Sequence, residues 1–145
     1  LKFILSNQYF GKTNIVNKNT NLHFKKILKV YKICKLMKIR KISVGRFPTR
    51  MYKKNQNLEK INLNFFKKIS KISKKNKITL NIEPIHKKYK VNFLNNTNEI
   101  INFIKKVNAP NIKLLLDSGN ILSNNENFQK IYLLNKNLID HIHIS

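Results

Sequence analysis

Glu83, Asp117 and His143 are the residues of this chain best placed to do chemistry, because each stands at the end of a short apolar run. The runs are Ile78-Thr79-Leu80-Asn81-Ile82-Glu83-Pro84, Ile112-Lys113-Leu114-Leu115-Leu116-Asp117 and Ile139-Asp140-His141-Ile142-His143-Ile144. The chain has only 6 acidic residues, so carboxylates closing two such runs and a histidine near the end of a third ask for an explanation. If the runs are parallel strands that finish at one end of a sheet, two carboxylates and an imidazole converge there. That donor set suits a divalent cation at the catalytic face of a barrel. Carboxylate oxygens lying more than about 8 Å from both imidazole nitrogens would exclude it, since ~2 Å bonds cannot span that gap.

Plainer readings stand beside this one. Glu83, next to Pro84, could be a solvated strand end, and Asp117 could cap a turn with Ser118 and Gly119. Strand alternation puts His141 and His143 on one face, with Asp140, Ile142 and Ile144 on the other. The isoleucines suit a helix-packed outer face, which leaves His143 nearer the strand end and His141 one layer deeper as a hydrogen-bonded core residue. Thr79, Asn81 and Glu83 share a face by the same parity. Cys34 fits core packing, and His23 and His86 fit the surface.

The elements that must hold these residues alternate. Lys2 to Ser6 reads as a strand, and 7–20 as a polar loop. Phe24, Ile27, Leu28, Tyr31 and Cys34 recur at helical spacing, and a strand from Lys41 to Gly45 follows. A helix from Leu58 to Lys75 turns Phe66, Ile69 and Ile72 inward and Lys67, Lys68, Lys71 and Lys74 outward. After the strand ending at Glu83, Asn96 with Glu99 three residues on is a helix-start signature, and that helix runs to Val107 before Ala109-Pro110. Asn124, with Glu126 in the first turn, opens a further helix through Leu134, and Leu138 to Ile144 is the last strand. Five strands separated by four helices imply parallel pairing. The three glycines, Gly11, Gly45 and Gly119, form no dinucleotide or phosphate loop, which favours a barrel over a doubly wound sheet.

The 145 residues, 41% of them hydrophobic, amount to one α/β domain, 1–145. A (β/α)8 barrel needs ~250 residues, so the expectation is a partial barrel, incomplete at both ends. Thirty basic against 6 acidic residues give +24, which ordinarily points to nucleic acid. Lys, Asn and Ile crowd every segment alike, however, and the arginines are only Arg40, Arg46 and Arg50, so nucleic acid is not the expected partner. One cysteine leaves no disulfide framework, and no apolar run reaches the ~18 residues of a membrane span. A cytoplasmic protein is expected.

Five short motifs together resemble the xylose-isomerase-like barrel superfamily of sugar and sugar-phosphate isomerases and epimerases. Ile82-Glu83-Pro84 followed by Tyr89, Asn92 and Phe93 resembles the segment after that family's fifth strand. Leu115-Leu116-Asp117-Ser118-Gly119 resembles its sixth-strand stretch and His141-Ile142-His143-Ile144-Ser145 its seventh. Ser6-Asn7-Gln8 with Phe10-Gly11, and Val44-Gly45 with Arg50, are similar to its third- and fourth-strand elements. The resemblance implies strands three to seven and one divalent ion (Mn, Mg, Co or Zn). Two acids, a histidine and one further acid would hold it. Glu83, Asp117 and His143 match the first three, and the fourth would lie on an eighth strand beyond Ser145.

It further implies Glu83 as acid or base in an enediolate-type proton transfer on a small sugar or sugar phosphate. Arg50, for a phosphate, His141 and Asn120 are the implied substrate contacts. Asn120 stands where many relatives carry a histidine, which weakens the alternative of an endonuclease-IV-like repair enzyme with a three-zinc cluster. The loop Gly45-Arg46-Phe47-Pro48-Thr49-Arg50 departs from the family pattern. A non-catalytic remnant is the remaining alternative.

Overall fold

The computed structural model describes residues 4–5, 20–45 and 58–145. Five strands, β1 (Ile4–Leu5), β2 (Lys41–Val44), β3 (Thr79–Ile82), β4 (Ile112–Asp117) and β5 (Ile139–His143), form one parallel sheet in the order of the chain. A doubly wound sheet reverses its strand order at a switch point. This sheet never does, so it is a section of barrel wall, as the strand-helix alternation implied.

The helices are α1 (Thr20–Leu36), α2 (Leu58–Lys75), α3 (Thr97–Val107), α4 (Ser118–Ser123) and α5 (Phe128–Asn135). Register places Ile42, Leu80 and Ile112, and likewise Ile82 and Leu114, on one face. These side chains are buried in a single cluster with Ile27 and Tyr31 of α1, Phe66 and Ile69 of α2, and Ile100 and Ile104 of α3. Phe66, Phe103 and Phe93 continue it through edge-to-face ring contacts. Cys34 is buried there, and that burial raises its thiol pKa. The opposite face carries Lys41, Ser43, Thr79, Asn81, Lys113, Leu115 and Asp117. Leu115 is fully buried yet lies outside the helix-packed cluster. The outer face is thus oily and the inner one polar.

Local chemistry explains the boundaries. Asn96 accepts from the Glu99 amide at 2.9 Å and donates to the Glu99 carboxylate, which starts α3 as expected. That helix ends at Val107, and Asn108 then turns left-handed at φ 51° with its amide returning to Ile104. Lys77 does the same after α2, and the Ile78 amide reaches back to Ser73 at 2.9 Å. A left-handed lysine gives up about 1–2 kcal/mol that glycine would not.

Three expectations fail. The predicted helix from Asn124 to Leu134 is two helices, because Asn124 ends α4 and Asn127 caps α5, accepting from the Lys130 amide. Glu126 therefore lies between the helices, where it accepts from the Thr97 amide and hydroxyl at 3.0 and 2.8 Å. Ile142 and Ile144 are exposed rather than covered by a described helix, Ile144 at 93%. Finally, the β4–β5 register shifts, Leu114 pairing with Ile139 but Leu115 with His141. Asp140 is the extra residue, and it turns to the inner face instead of the outer one. The 7–20 loop short of Thr20, and the loop holding Arg50, lie outside the described residues, as do the Ser6-Asn7-Gln8 and Phe10-Gly11 motifs.

Candidate metal centre

Glu83 follows β3 while still joined to the sheet, its amide donating to Val44 O at 3.2 Å. Pro84 has no amide to extend the ladder, so the strand stops there. The carboxylate is not a solvated terminus: Glu83 is 7% exposed. Asp117, also 7% exposed, closes β4 and at once caps α4, accepting from the Asn120 amide at 2.7 Å. His143 pairs with Asp117 across the β4–β5 ladder, and its Nδ1 lies 4.0 Å from Asp117 Oδ2.

One ligand atom from each of Glu83, Asp117 and His143 lies within 4.8 Å of the others. Two ligands on one ion with ~2.1 Å bonds stand roughly 3–4.2 Å apart, so small side-chain rotations close the set. The donors fit a divalent cation. Carboxylate oxygens and an imidazole are hard to borderline donors, and the group holds no thiolate. Asp117 Oδ1 caps the helix while Oδ2 faces the histidine.

The neighbours of this trio are ordered too. Asn120 donates from its amide nitrogen Nδ2 to Asp117 Oδ1 at 3.1 Å, and its Oδ1 accepts from the His86 amide at 3.2 Å. Ser145 Oγ lies 3.4 Å from both oxygens of Asp117 and accepts from the Gly119 amide at 3.2 Å. A β-carbon on Gly119 would meet that hydroxyl at 2.6 Å. His141 packs edge-on against His143, ring centres 4.9 Å apart. Burial, followed by the neighbouring His143 and Lys41, lowers the His141 pKa against an opposing pull from Asp140.

One layer deeper, Asn81 Nδ2 donates to Asp140 Oδ2 at 2.9 Å, and Lys41 Nζ pairs with Asp140 Oδ1 at 3.0 Å. Sequence reasoning missed this cluster because alternation by twos breaks at the bulge. It missed the Asn120 bridge as well, although Asp117 with a small polar residue three positions on carries a cap signal. Arg50 lies outside the described residues.

A family model described as xylose isomerase-like TIM barrel matches residues 9–145. The chain belongs to this family. Solved barrels resemble it at low identity. An L-ribulose 3-epimerase matches with TM-score 0.81 at 17% identity, over 100% of this chain and 50% of its own. An IOLI protein with a bound zinc atom matches with TM-score 0.73 at 18% identity, over 97% and 49%. An AP endonuclease, family 2, from Brucella melitensis matches with TM-score 0.74 at 11% identity, over 98% and 57%. The chain thus spans about half the length of these solved proteins. No curated protein matches it. No described helix is long and apolar enough to cross a membrane.

Proposed function

We propose that this chain carries the metal-binding half of an isomerase or epimerase that moves a proton beside the carbonyl of a sugar or sugar phosphate. The observation that carries the reading is the convergence of Glu83, Asp117 and His143 within 4.8 Å at the C-terminal strand ends. Barrel enzymes place their chemistry at that face. Glu83, Asp117 and His143 would hold the cation, which when bound supplies Lewis-acid stabilisation of negative charge developing on substrate oxygen.

The residues themselves divide the work. Glu83, largely withdrawn from water, is the base that takes the proton from the carbon next to the carbonyl and returns it as acid. Asp117 is fixed by the start of α4, and His143 stands across the ladder from it. His141 backs His143 in a neutral form, its pKa being lowered. A second acid, needed to work on the opposite substrate face, belongs to the remaining barrel strands. Arg50 is the proposed phosphate contact. The sugar assignment draws on the L-ribulose 3-epimerase likeness, and the cation on the zinc-bearing IOLI protein.

The repair-nuclease alternative needs cations gathered at the strand ends. Lys67, Lys71 and Lys74 instead lie on the exposed face of α2, and Lys105 and Lys106 on that of α3, while Lys87, Lys88 and Lys90 do follow β3. Among the described residues, charge is spread over the helices more than focused on the site, which favours the sugar reading.

The test is calorimetric titration of Mn²⁺ into wild type and Glu83→Gln, with substrate-level proton exchange followed by NMR in D2O using ketoses and their phosphates. Wild type should bind one Mn²⁺ and the variant should lose it. Equal binding by the two proteins would remove the basis for the proposal.

A further inference from the structure

Two carboxylates and an imidazole held together have to be prevented from rotating apart when no cation separates them. In Asp117 the two oxygens have different surroundings. Oδ1 takes three donors, the Asn120 amide at 2.7 Å, Asn120 Nδ2 at 3.1 Å and Ser145 Oγ at 3.4 Å. Among the described residues Oδ2 has only the long contact to Ser145 Oγ at 3.4 Å, and it is the oxygen that lies 4.0 Å from His143 Nδ1. The carboxylate therefore has a restrained oxygen and a presented one.

Asn120 supplies two of those donors and uses its remaining polar atom elsewhere. Its side-chain oxygen accepts from the His86 amide at 3.2 Å, on the segment that runs on from Glu83 and Pro84. A single side chain thus joins the ends of β3 and β4, the two strands that deliver the acids. One Nδ2 hydrogen and one Oδ1 lone pair remain for a further partner.

We infer that Asn120 is a positioning residue that locks Asp117 to offer Oδ2 alone to a cation and ties the Glu83 segment to the end of β4. The inference rests on the metal reading given above, and deepens it. A carboxylate whose second oxygen is committed to nearby donors binds a cation through one oxygen. Outer partners of this kind orient ligands, and their loss weakens metal binding by about 10- to 100-fold.

The full 145-residue chain allows a direct spectroscopic test, since Asp117 and Asp140 are its only aspartates. Asp140 is bound to Lys41 and Asn81, so ¹³C-aspartate labelling isolates Asp117 in the infrared difference between the Mn²⁺-loaded and metal-free protein. A widened splitting of the carboxylate stretches, the mark of one-oxygen binding, is expected in wild type. In Asn120→Ala the Mn²⁺ dissociation constant should rise about 10- to 100-fold and the splitting should narrow as both oxygens become free. A narrow splitting in wild type, or a folded Asn120→Ala with wild-type affinity and spectrum, would overturn the inference while leaving the metal site standing. Absence of Mn²⁺ binding by wild type would instead take down the metal reading itself. Should Asn120→Ala not fold, the wild-type splitting decides alone.

Discussion

Two acidic clusters lie at neighbouring heights on the inner face of the sheet, and they differ in what balances the charge. The deeper one pairs Asp140 with Lys41 at 3.0 Å, and Asn81 donates to the same carboxylate. The upper one gathers Glu83, Asp117 and His143 within 4.8 Å. Asp117 has no lysine or arginine partner there among the described residues, in a chain where lysines crowd every other segment. A lysine completes the deeper cluster as a structural ion pair, whereas in the upper one the proposed cation would stand beside Asp117. On the proposed reading, the same residue types serve architecture in one layer and ligand binding in the next.

The strongest way to break this contrast is to remove a ligand. Asp117→Asn should lower Mn²⁺ affinity by more than the roughly 100-fold upper range for an outer partner, as read by calorimetry, while Asp140→Asn leaves it unchanged. Equal losses in the two variants would mean that the layers are not distinct.

Stability should show the reverse pattern. Lys41→Met strands the Asp140 carboxylate on the inner face, and because both side chains are part-exposed the expected cost is about 1–2 kcal/mol rather than the full penalty of a buried pair. Urea unfolding of the metal-free protein measures it. Adding Asp140→Leu should recover only part of the loss, since it removes the unpaired charge but leaves the buried Asn81 amide without its acceptor.

A smaller effect is expected from Gly119→Ala, whose new methyl would crowd the Ser145 hydroxyl at 2.6 Å and Asp117 Oδ1 at 3.4 Å. The serine side chain can swing aside, so the metal-free melting temperature should barely move while Mn²⁺ affinity falls a few-fold. A large drop in melting temperature would mean that the clasp is a folding element.

The mildest test uses pH. The His141 pKa is lowered from 6.5, mainly by burial, so the unfolded chain binds this proton more tightly than the folded one. Its contribution to stability is therefore present above about pH 6.5 and is lost as pH falls through the folded value. His141→Asn should flatten the decline in melting temperature between about pH 7 and pH 5, and an unchanged slope would show that this histidine does not couple to folding.

Much of this was legible beforehand. The 3.6-residue spacing in α2 marked its full span from Leu58 to Lys75, and Asn96 with Glu99 marked the start of α3, because amphipathic periodicity and caps act within a few residues. The failures occurred where a distant neighbour decides. Glu126 reads as a first-turn acid, yet Thr97, 29 residues away, claims it. Asp140 reads as outward-facing by parity, yet a register shift against Leu114 and Leu115 turns it inward.

The sequence by itself determined the alternation of strands and helices, the choice of Glu83, Asp117 and His143, and their positions at strand ends, since all of these follow from local pattern. Only the tertiary structure decided that the three meet, that Glu83 is buried, that the two Asp117 oxygens have different partners, and that Asn120 joins two strand ends. Those outcomes depend on pairing register and on contacts between segments far apart in the chain, which the local pattern of side chains does not specify.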